Sequence, residues 1–468
     1  MKTNLQHVTG DPGGEPKKKS NPILRVLGLG DLSGHSMQDH LSFWAIVLLT
    51  FFLFADQNLI SSNISRIGAD FGFPDKDDYL FYLNTLVLVM FFILGGIVSV
   101  YTGTLTDQFD RKRLMLYVVL LGEVPCLLSG LAPDYWTFLA LRTLTGFGLG
   151  GILPLVFSLL GDYFKPENRN TASGWIGFSM GLGIAVGQLF AGAVAHDTIL
   201  GLSGWRFSFI AMAAPSIPII FLYYFFGTLP TRENQRGSGA LTGDLNSHRI
   251  SWADFQVMFK TRTNILVFLQ GITGTVPWAL LFFYLVDYYE TVKGFKVTEA
   301  NLLVVGFGGT AILGGFVGGF IGKLLYQKAR RWLPVFGGLA VISGAIPTWL
   351  VLNYEGSDIS SPLYLALVGG ILATLAVPNV RAILLNCNVP ENRGSVFGLY
   401  NLTDDLGKGL GPLMIFILLS VMDQATAYNA AVAFWILCGI IWFFMAFTYQ
   451  KDEDRVLRHL QDQKSAPA

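Results

Sequence analysis

Apolar stretches of membrane length recur along the chain, each closed by a short polar or charged segment. At about 1.5 Å per residue, some 20 apolar residues in a helix cover the ~30 Å hydrocarbon core of a bilayer. Spans are therefore predicted at residues 42–66, 80–102, 113–132, 135–163, 171–196 and 205–228, then at 263–289, 299–326, 332–352, 362–388, 395–421 and 426–448. The expected fold class is all-α integral membrane. It comprises an N-terminal tail (1–41), a six-helix bundle (42–228), a polar linker (229–262), a second six-helix bundle (263–448) and a C-terminal tail (449–468). Within the linker, Trp252, Phe255 and Phe259 fall on one helical face, which predicts a short interfacial helix over 251–260.

Composition agrees with that pattern: 52% of residues are hydrophobic and 14% charged, and the mean hydropathy is +0.50. A formal net charge of zero argues against a nucleic-acid partner. Cys126, Cys387 and Cys438 all fall in apolar runs and read as small buried hydrophobes, with no disulfide framework or zinc spacing. The polar first forty residues, with Lys17, Lys18 and Lys19, are expected to form a cytoplasmic tail and contain no cleavable signal. Basic residues set the orientation. Arg111, Lys112, Arg113, Lys165, Arg169, Arg232, Arg236, Lys328, Arg330, Arg331 and Arg393 mark one set of loops as inside. Asp75, Asp77, Asp78, Asp134, Asp197, Glu355, Asp358 and Asp423 mark the other set as outside, so both termini are expected in the cytoplasm. The expected host is a plasma or bacterial inner membrane.

The loop between the second and third runs reads GTLTDQFDRKR, Gly103–Arg113. Gly103 allows close helix approach, and Asp107 can face the positive end of a neighbouring helix dipole. Arg111, Lys112 and Arg113 hold the loop on the basic side, which is all that a purely topogenic loop would need. The pattern Gly-x-Leu-x-Asp-x-x-x-Arg-Lys resembles the signature loop between helices 2 and 3 of the major facilitator superfamily. Gly103, Leu105, Asp107, Arg111 and Lys112 match, and Asp110 stands where that family most often has Gly. The resemblance implies a gate at this loop. An internal repeat points the same way: Pro166-Glu167-Asn168-Arg169 recurs as Pro390-Glu391-Asn392-Arg393, each after the fourth run of its half. Glu167, Arg169, Glu391 and Arg393 are therefore further gating candidates. Gly322, Lys323 and Leu324, followed by Arg330 and Arg331, echo the first loop, with Tyr326 where the first copy has Asp107. The resemblance implies two pseudo-symmetric six-helix halves with a substrate site between them near the midplane.

Ionisable groups inside a bilayer are costly unless paired or hydrated, so each is a site candidate. Asp56 in the first run and Arg142 in the fourth lie at similar depth. A carboxylate beside an arginine, alternately dry and wet, suits a proton carrier. The alternatives are a structural ion pair, or an arginine bonded to the carbonyls of a broken helix. In the other half, Arg381 on the tenth run faces Asp404, Asp405 and Lys408 across one loop, at matching depth on the eleventh. This group is expected to lock the cytoplasmic side or to hold a polar substrate head. Glu123, on the peripheral third run, reads as a structural pairing, and Asp287 with Glu290 as a solvated mouth. Pro277 predicts a kink in the seventh run that presents Trp278, with Tyr284 following, although such aromatics also serve as core or lipid contacts. Glycines crowd the fifth run (Gly174 to Gly192) and the eighth (Gly306 to Gly322), where small residues permit close packing or sliding.

Asp56, the Asp110-Arg111-Lys112 loop and Arg142 are similar to the spinster-like branch of the superfamily, although Leu149 stands where that branch often carries an acid. The branch implies lysophospholipid or sphingoid-phosphate transport, while broader facilitators carry sugars, organic anions and drugs. The expected function is secondary active transport by alternating access, coupled to protons, of an amphipathic or anionic small molecule. The alternatives are a carrier of small organic anions or sugars, and a transport-inactive membrane sensor. No nucleophile–base set, metal cluster or P-loop appears, so neither an enzyme nor a cofactor is expected, and the chain is expected to act as a monomer.

Overall fold

The computed structural model describes residues 36–163, 169–228, 259–389 and 393–465. Twelve helical spans follow the apolar pattern. The first half consists of Met37–Ala55 continued by a tight turn Asp56–Asn58, Lys76–Gln108, Arg111–Ser129, Tyr135–Tyr163, Arg169–Ala193 and Gly204–Phe226. The second consists of Arg262–Thr291, Val297–Lys328, Trp332–Leu352, Ser360–Cys387, Arg393–Val421 and Gln424–Ser465. Among the described residues, ten of these are long and apolar enough to cross a membrane. The third and eleventh have the length and fall short on apolarity, because Arg111, Lys112, Arg113 and Glu123 lie in one, and Arg393, Asp404, Asp405 and Lys408 in the other. The interfacial helix expected over 251–260 falls almost wholly outside the described residues.

Two boundaries differ from the apolar reading. The first span stops at Asn58 rather than 66. Its polar run, Asp56-Gln57-Asn58 and then Ser61-Ser62-Asn63, offers side chains that compete for main-chain partners. The backbone unwinds there and restarts as a short helix, Ile64–Asp70. Irregular backbone at membrane depth needs burial in protein, and Asp56 and Asn58 to Asn63 are all buried. At the other end of the chain, residues 449–465 continue the twelfth helix without a break.

The halves repeat each other's packing. Second span lies on fourth as eighth lies on tenth, and first lies on fifth as seventh lies on eleventh. The repeat extends to single glycines. A methyl on Gly183 or Gly187 of the fifth span would sit 2.2 or 2.1 Å from the Phe51 or Ala55 carbonyl oxygen of the first. A methyl on Gly407 or Gly411 of the eleventh would meet Thr275 at 1.9 Å or Ala279 at 2.7 Å of the seventh. On the eighth span, Gly314 and Gly318 lie against the Ile371 and Leu375 carbonyls of the tenth. These small residues mainly close helix pairs within a half, whereas Gly192 of the fifth span, against Asn301 of the eighth, lies between halves. The halves meet along two further pairs, second on eleventh and fifth on eighth.

Each half is also tied at its basic end. Gly227 and Thr228, after the sixth span, are gathered by three others: Lys112 Nζ donates to the Gly227 carbonyl at 2.6 Å, Thr228 N–H donates to Ser42 Oγ at 2.8 Å, and the Tyr163 hydroxyl donates to the Thr228 carbonyl. In the second half the twelfth helix supplies the ties. Asp452 accepts from Thr263 N–H at 3.0 Å, Arg330 pairs with Asp454 at 2.6 Å and with Glu453 at 3.6 Å, and Tyr326 donates to Glu453 at 2.5 Å. The carboxylate that the second loop lacks at Tyr326 thus arrives from the twelfth helix.

Candidate functional site

In the N-terminal loop, Gly103 and Asp107 both lie within the second helix, which runs to Gln108. The Asp107 side chain is outside the described residues, as are Glu167, Glu391 and the side chains of Arg169 and Arg393, so the gate reading of these positions stands as an expectation. Asp110 has a definite role. It caps the third helix, accepting from Lys112 N–H at 2.9 Å, with Arg113 at 3.9 Å. An N-cap carboxylate satisfies one of the helix's free amides. Arg111 Nε reaches back to the Thr106 carbonyl at 3.3 Å, and Lys112 reaches the end of the sixth span.

Asp56 and Arg142 come together, in a different arrangement from a carboxylate–guanidinium pair. Arg142 Nη2 donates to the Asp56 main-chain carbonyl at 3.0 Å, and Nη1 lies 3.4 Å from Cys126 Sγ. The guanidinium is sandwiched by the rings of Phe91 at 5.0 Å and Phe209 at 5.2 Å. The cause is the helix break: unwinding at Asp56 removes a helical donor from its carbonyl, and an arginine satisfies it. The Asp56 carboxylate instead faces Glu123 and Cys126 of the third span. Glu123, read as peripheral, is fully buried and looks inward. Sequence signals for this existed: Glu123 and Cys126 are three apart, hence on one helical face, and Gly122 brings the third span against Leu53 of the first.

In the second half, Lys408 Nζ bridges Asp404 at 2.8 Å and Asp405 at 3.1 Å. The lysine thus takes both carboxylates that Arg381 was expected to pair with. Arg381 is exposed and has no ion pair among the described residues, and it lies near Tyr400 of the eleventh span. Asp405 also faces Gly96 of the second span, where an added methyl would sit 3.0 Å from its Cβ. This acid–lysine group therefore lies at the seam of the two halves.

Trp278 is packed into the second half, and Tyr284 lies where that half meets Thr85 of the second span. Trp278 stacks on Phe282 at 5.5 Å and meets Phe307 and Trp435 edge-on. Tyr284 is fully buried and donates to the Pro412 carbonyl at 3.1 Å. The distortion foreseen at Pro277 is present as a wide π turn, Leu280–Tyr284, beginning three residues later. A second π segment, Leu80–Leu86, lies opposite in the second span. Such turns free main-chain groups, and Asn84 Nδ2 of one donates to the Phe283 carbonyl of the other at 2.8 Å.

Asp287 and Glu290 are engaged across the halves rather than forming a solvated mouth. Asp287 is buried, accepts from the Tyr79 hydroxyl at 3.1 Å and lies 3.6 Å from Lys76 Nζ. Glu290 pairs with Arg66 at 2.8 Å, and that guanidinium also touches His196. Deeper in, Asn301 of the eighth span accepts from Ser62 at 3.0 Å and from Gln188 at 3.1 Å. Among the described residues, the polar contacts between halves therefore cluster at the acidic end.

Comparisons place these features in a known family. The profile of the Major Facilitator Superfamily matches residues 46–412. The cis,cis-muconate transport protein of Acinetobacter baylyi is 25% identical over 415 residues, covering 85% of this chain and 93% of that protein. Protein spinster homolog 3 of Danio rerio is 22% identical over 446 residues, covering 88% and 86%. The solved structure of a bacterial homolog to the human lysosomal transporter Spinster, inward-facing and unoccupied, superposes with a TM-score of 0.74 at 18% identity, over 90% of this chain and 99% of that one. With its twelve spans, two repeated halves and seam of polar contacts, the chain belongs to the Major Facilitator Superfamily of membrane transporters and resembles that superfamily's spinster-like members.

Proposed function

We propose that this transporter moves an anionic small molecule by alternating access, coupled to protons. The single observation that carries the reading is Arg381: an exposed arginine without an ion pair among the described residues, beside an Asp404–Asp405–Lys408 group that is already paired internally. An unpaired guanidinium on a membrane helix is costly unless it is hydrated or meets an anion. Its planar fork suits carboxylate or phosphate. A muconate-like dicarboxylate and the phosphate head of a lysophospholipid share that chemistry: the Acinetobacter baylyi relative is named for muconate transport, and the resemblance to the spinster-like branch implies the phosphate head. Asp56 and its neighbours supply the proton side.

Uptake into proteoliposomes with and without an imposed pH gradient tests the reading. Labelled dicarboxylates and lysophospholipids form the two arms. Gradient-driven accumulation of either that is lost in Arg381→Gln is the expected result. Uptake of neutral sugars alone, or uptake indifferent to both the gradient and Arg381, overturns it.

A further inference from the structure

Three ionisable groups of the first half are shut away together. Asp56 and Glu123 have no exposed surface, and Arg142 is 1% exposed. The guanidinium does not give up its proton in a protein. If both carboxyls were ionised, the cluster would hold one net negative charge in a medium where unpaired charge is strongly disfavoured. One proton on either acid makes it neutral.

The contacts support the same count. No main-chain amide, hydroxyl or guanidinium of the described residues donates to any of the four carboxyl oxygens. The other carboxyl is among the side chains that each acid interacts with, and the Cys126 thiol lies beside Asp56. The Ser216 hydroxyl comes near Glu123 from the sixth span but is committed to the Ala213 carbonyl at 2.6 Å. The second span contributes the Phe91 ring over Arg142. The fifth presents Gly183 and Gly187 to the first, and no titratable side chain lies between Trp175 and Ala193. Two carboxyls attract one another only when a proton lies between them, since two like charges side by side repel.

We propose that Asp56 and Glu123 form one proton-binding site, a carboxyl pair sharing a single proton, with Arg142 fixing the charge count at one. This deepens the proton-coupling reading above and rests on it for the site's use in transport. The pair sits beside the broken end of the first span. From that break, Asn58 donates to Gln188 at 3.3 Å, and Gln188 donates to Asn301 of the other half at 3.1 Å. A change in charge at the pair is thus delivered to a segment bonded across the halves.

The test is infrared difference spectroscopy on the purified full-length protein, titrated with acid and base, beside pH-driven uptake. The wild type should show a carboxylic-acid carbonyl band at neutral pH that both Asp56→Asn and Glu123→Gln lose. Neutralising either acid leaves one carboxylate against one guanidinium, with no need of a proton. Glu123→Asp keeps a carboxyl at the position and should retain the band, whereas a role limited to filling space or hydrogen bonding would be met equally by Gln. Absence of the band in the wild type, or its survival in either neutralised variant, overturns the shared proton. The transport reading fails separately: the expected band together with uptake indifferent to the pH gradient leaves the pair standing and removes its coupling role.

Discussion

At the scale of single residues, the molecule turns on which partner each buried charge takes. Lys408 occupies Asp404 and Asp405, and Arg381 has no ion pair among the described residues, which is the basis for proposing it as the anion's partner. A hydrogen bond to a charged group contributes about 1.5–3 kcal/mol, so Arg381→Gln should raise the apparent KM for an anionic substrate by roughly 10- to 100-fold. Concentration-dependent uptake measures this, and an unchanged KM would place the anion elsewhere. The positions of these charges were legible in the sequence, because an ionisable residue stands out in an apolar run. Their partners were not. Arg142 binds the Asp56 main chain, the broken-helix alternative and not the side-chain pair, and Glu123, whose peripheral span predicts only a structural pairing, faces Asp56 itself. Pairing depends on how one helix is rotated against the next, which apolar runs do not encode when most faces are apolar.

At the scale of elements, the boundaries followed from hydropathy and the irregularities only in part. Pro277 announced a distortion, and the polar residues from Asp56 to Asn63 carried the signal for a break that a simple apolar window passes over. The glycine-rich fifth and eighth spans were legible as close-packing surfaces, but the sequence did not say which neighbour each glycine served. Gly187 lies against Ala55 at the broken end of the first span. Gly187→Ala should therefore destabilise the protein by about 1–3 kcal/mol, the usual cost of overpacking, and lower its melting temperature in detergent. Gly177, with nothing within 4 Å of an added methyl, is the matched control, and Gly177→Ala should be close to neutral. Equal effects at the two sites would dismiss the packing account. The facing π segments yield another expectation. Removing the Asn84 side chain as Asn84→Ala leaves the Phe283 carbonyl without its donor across the halves, and should favour opening at the acidic end.

At the scale of the whole molecule, the two halves were legible from the repeated Pro-Glu-Asn-Arg motif, and the arrangement of the seam was not. The seam is tied at its acidic end by Arg66–Glu290 and by Lys76 and Tyr79 on Asp287. Residues so far apart in the chain meet only once both bundles exist. Arg66→Glu should shift the population towards states open at that end and slow turnover, and Arg66→Glu with Glu290→Arg should recover part of the loss. Accessibility of a cysteine introduced near Tyr79 reads out the opening, and additive rather than compensating effects would show that the two side chains act separately.

The unbroken twelfth helix has a practical consequence. Residues 449–465 extend it by about 25 Å at 1.5 Å per residue, and Arg330, Tyr326 and Thr263 of the second half fasten its acidic stretch. Under the proposed alternating access it would move as a rigid pointer with the second half. A donor dye at Gln461 and an acceptor on the first half at Phe109 should report each cycle as a change in energy-transfer efficiency. Cutting the fastening with Arg330→Ala and Tyr326→Phe should blur that optical signal while uptake continues.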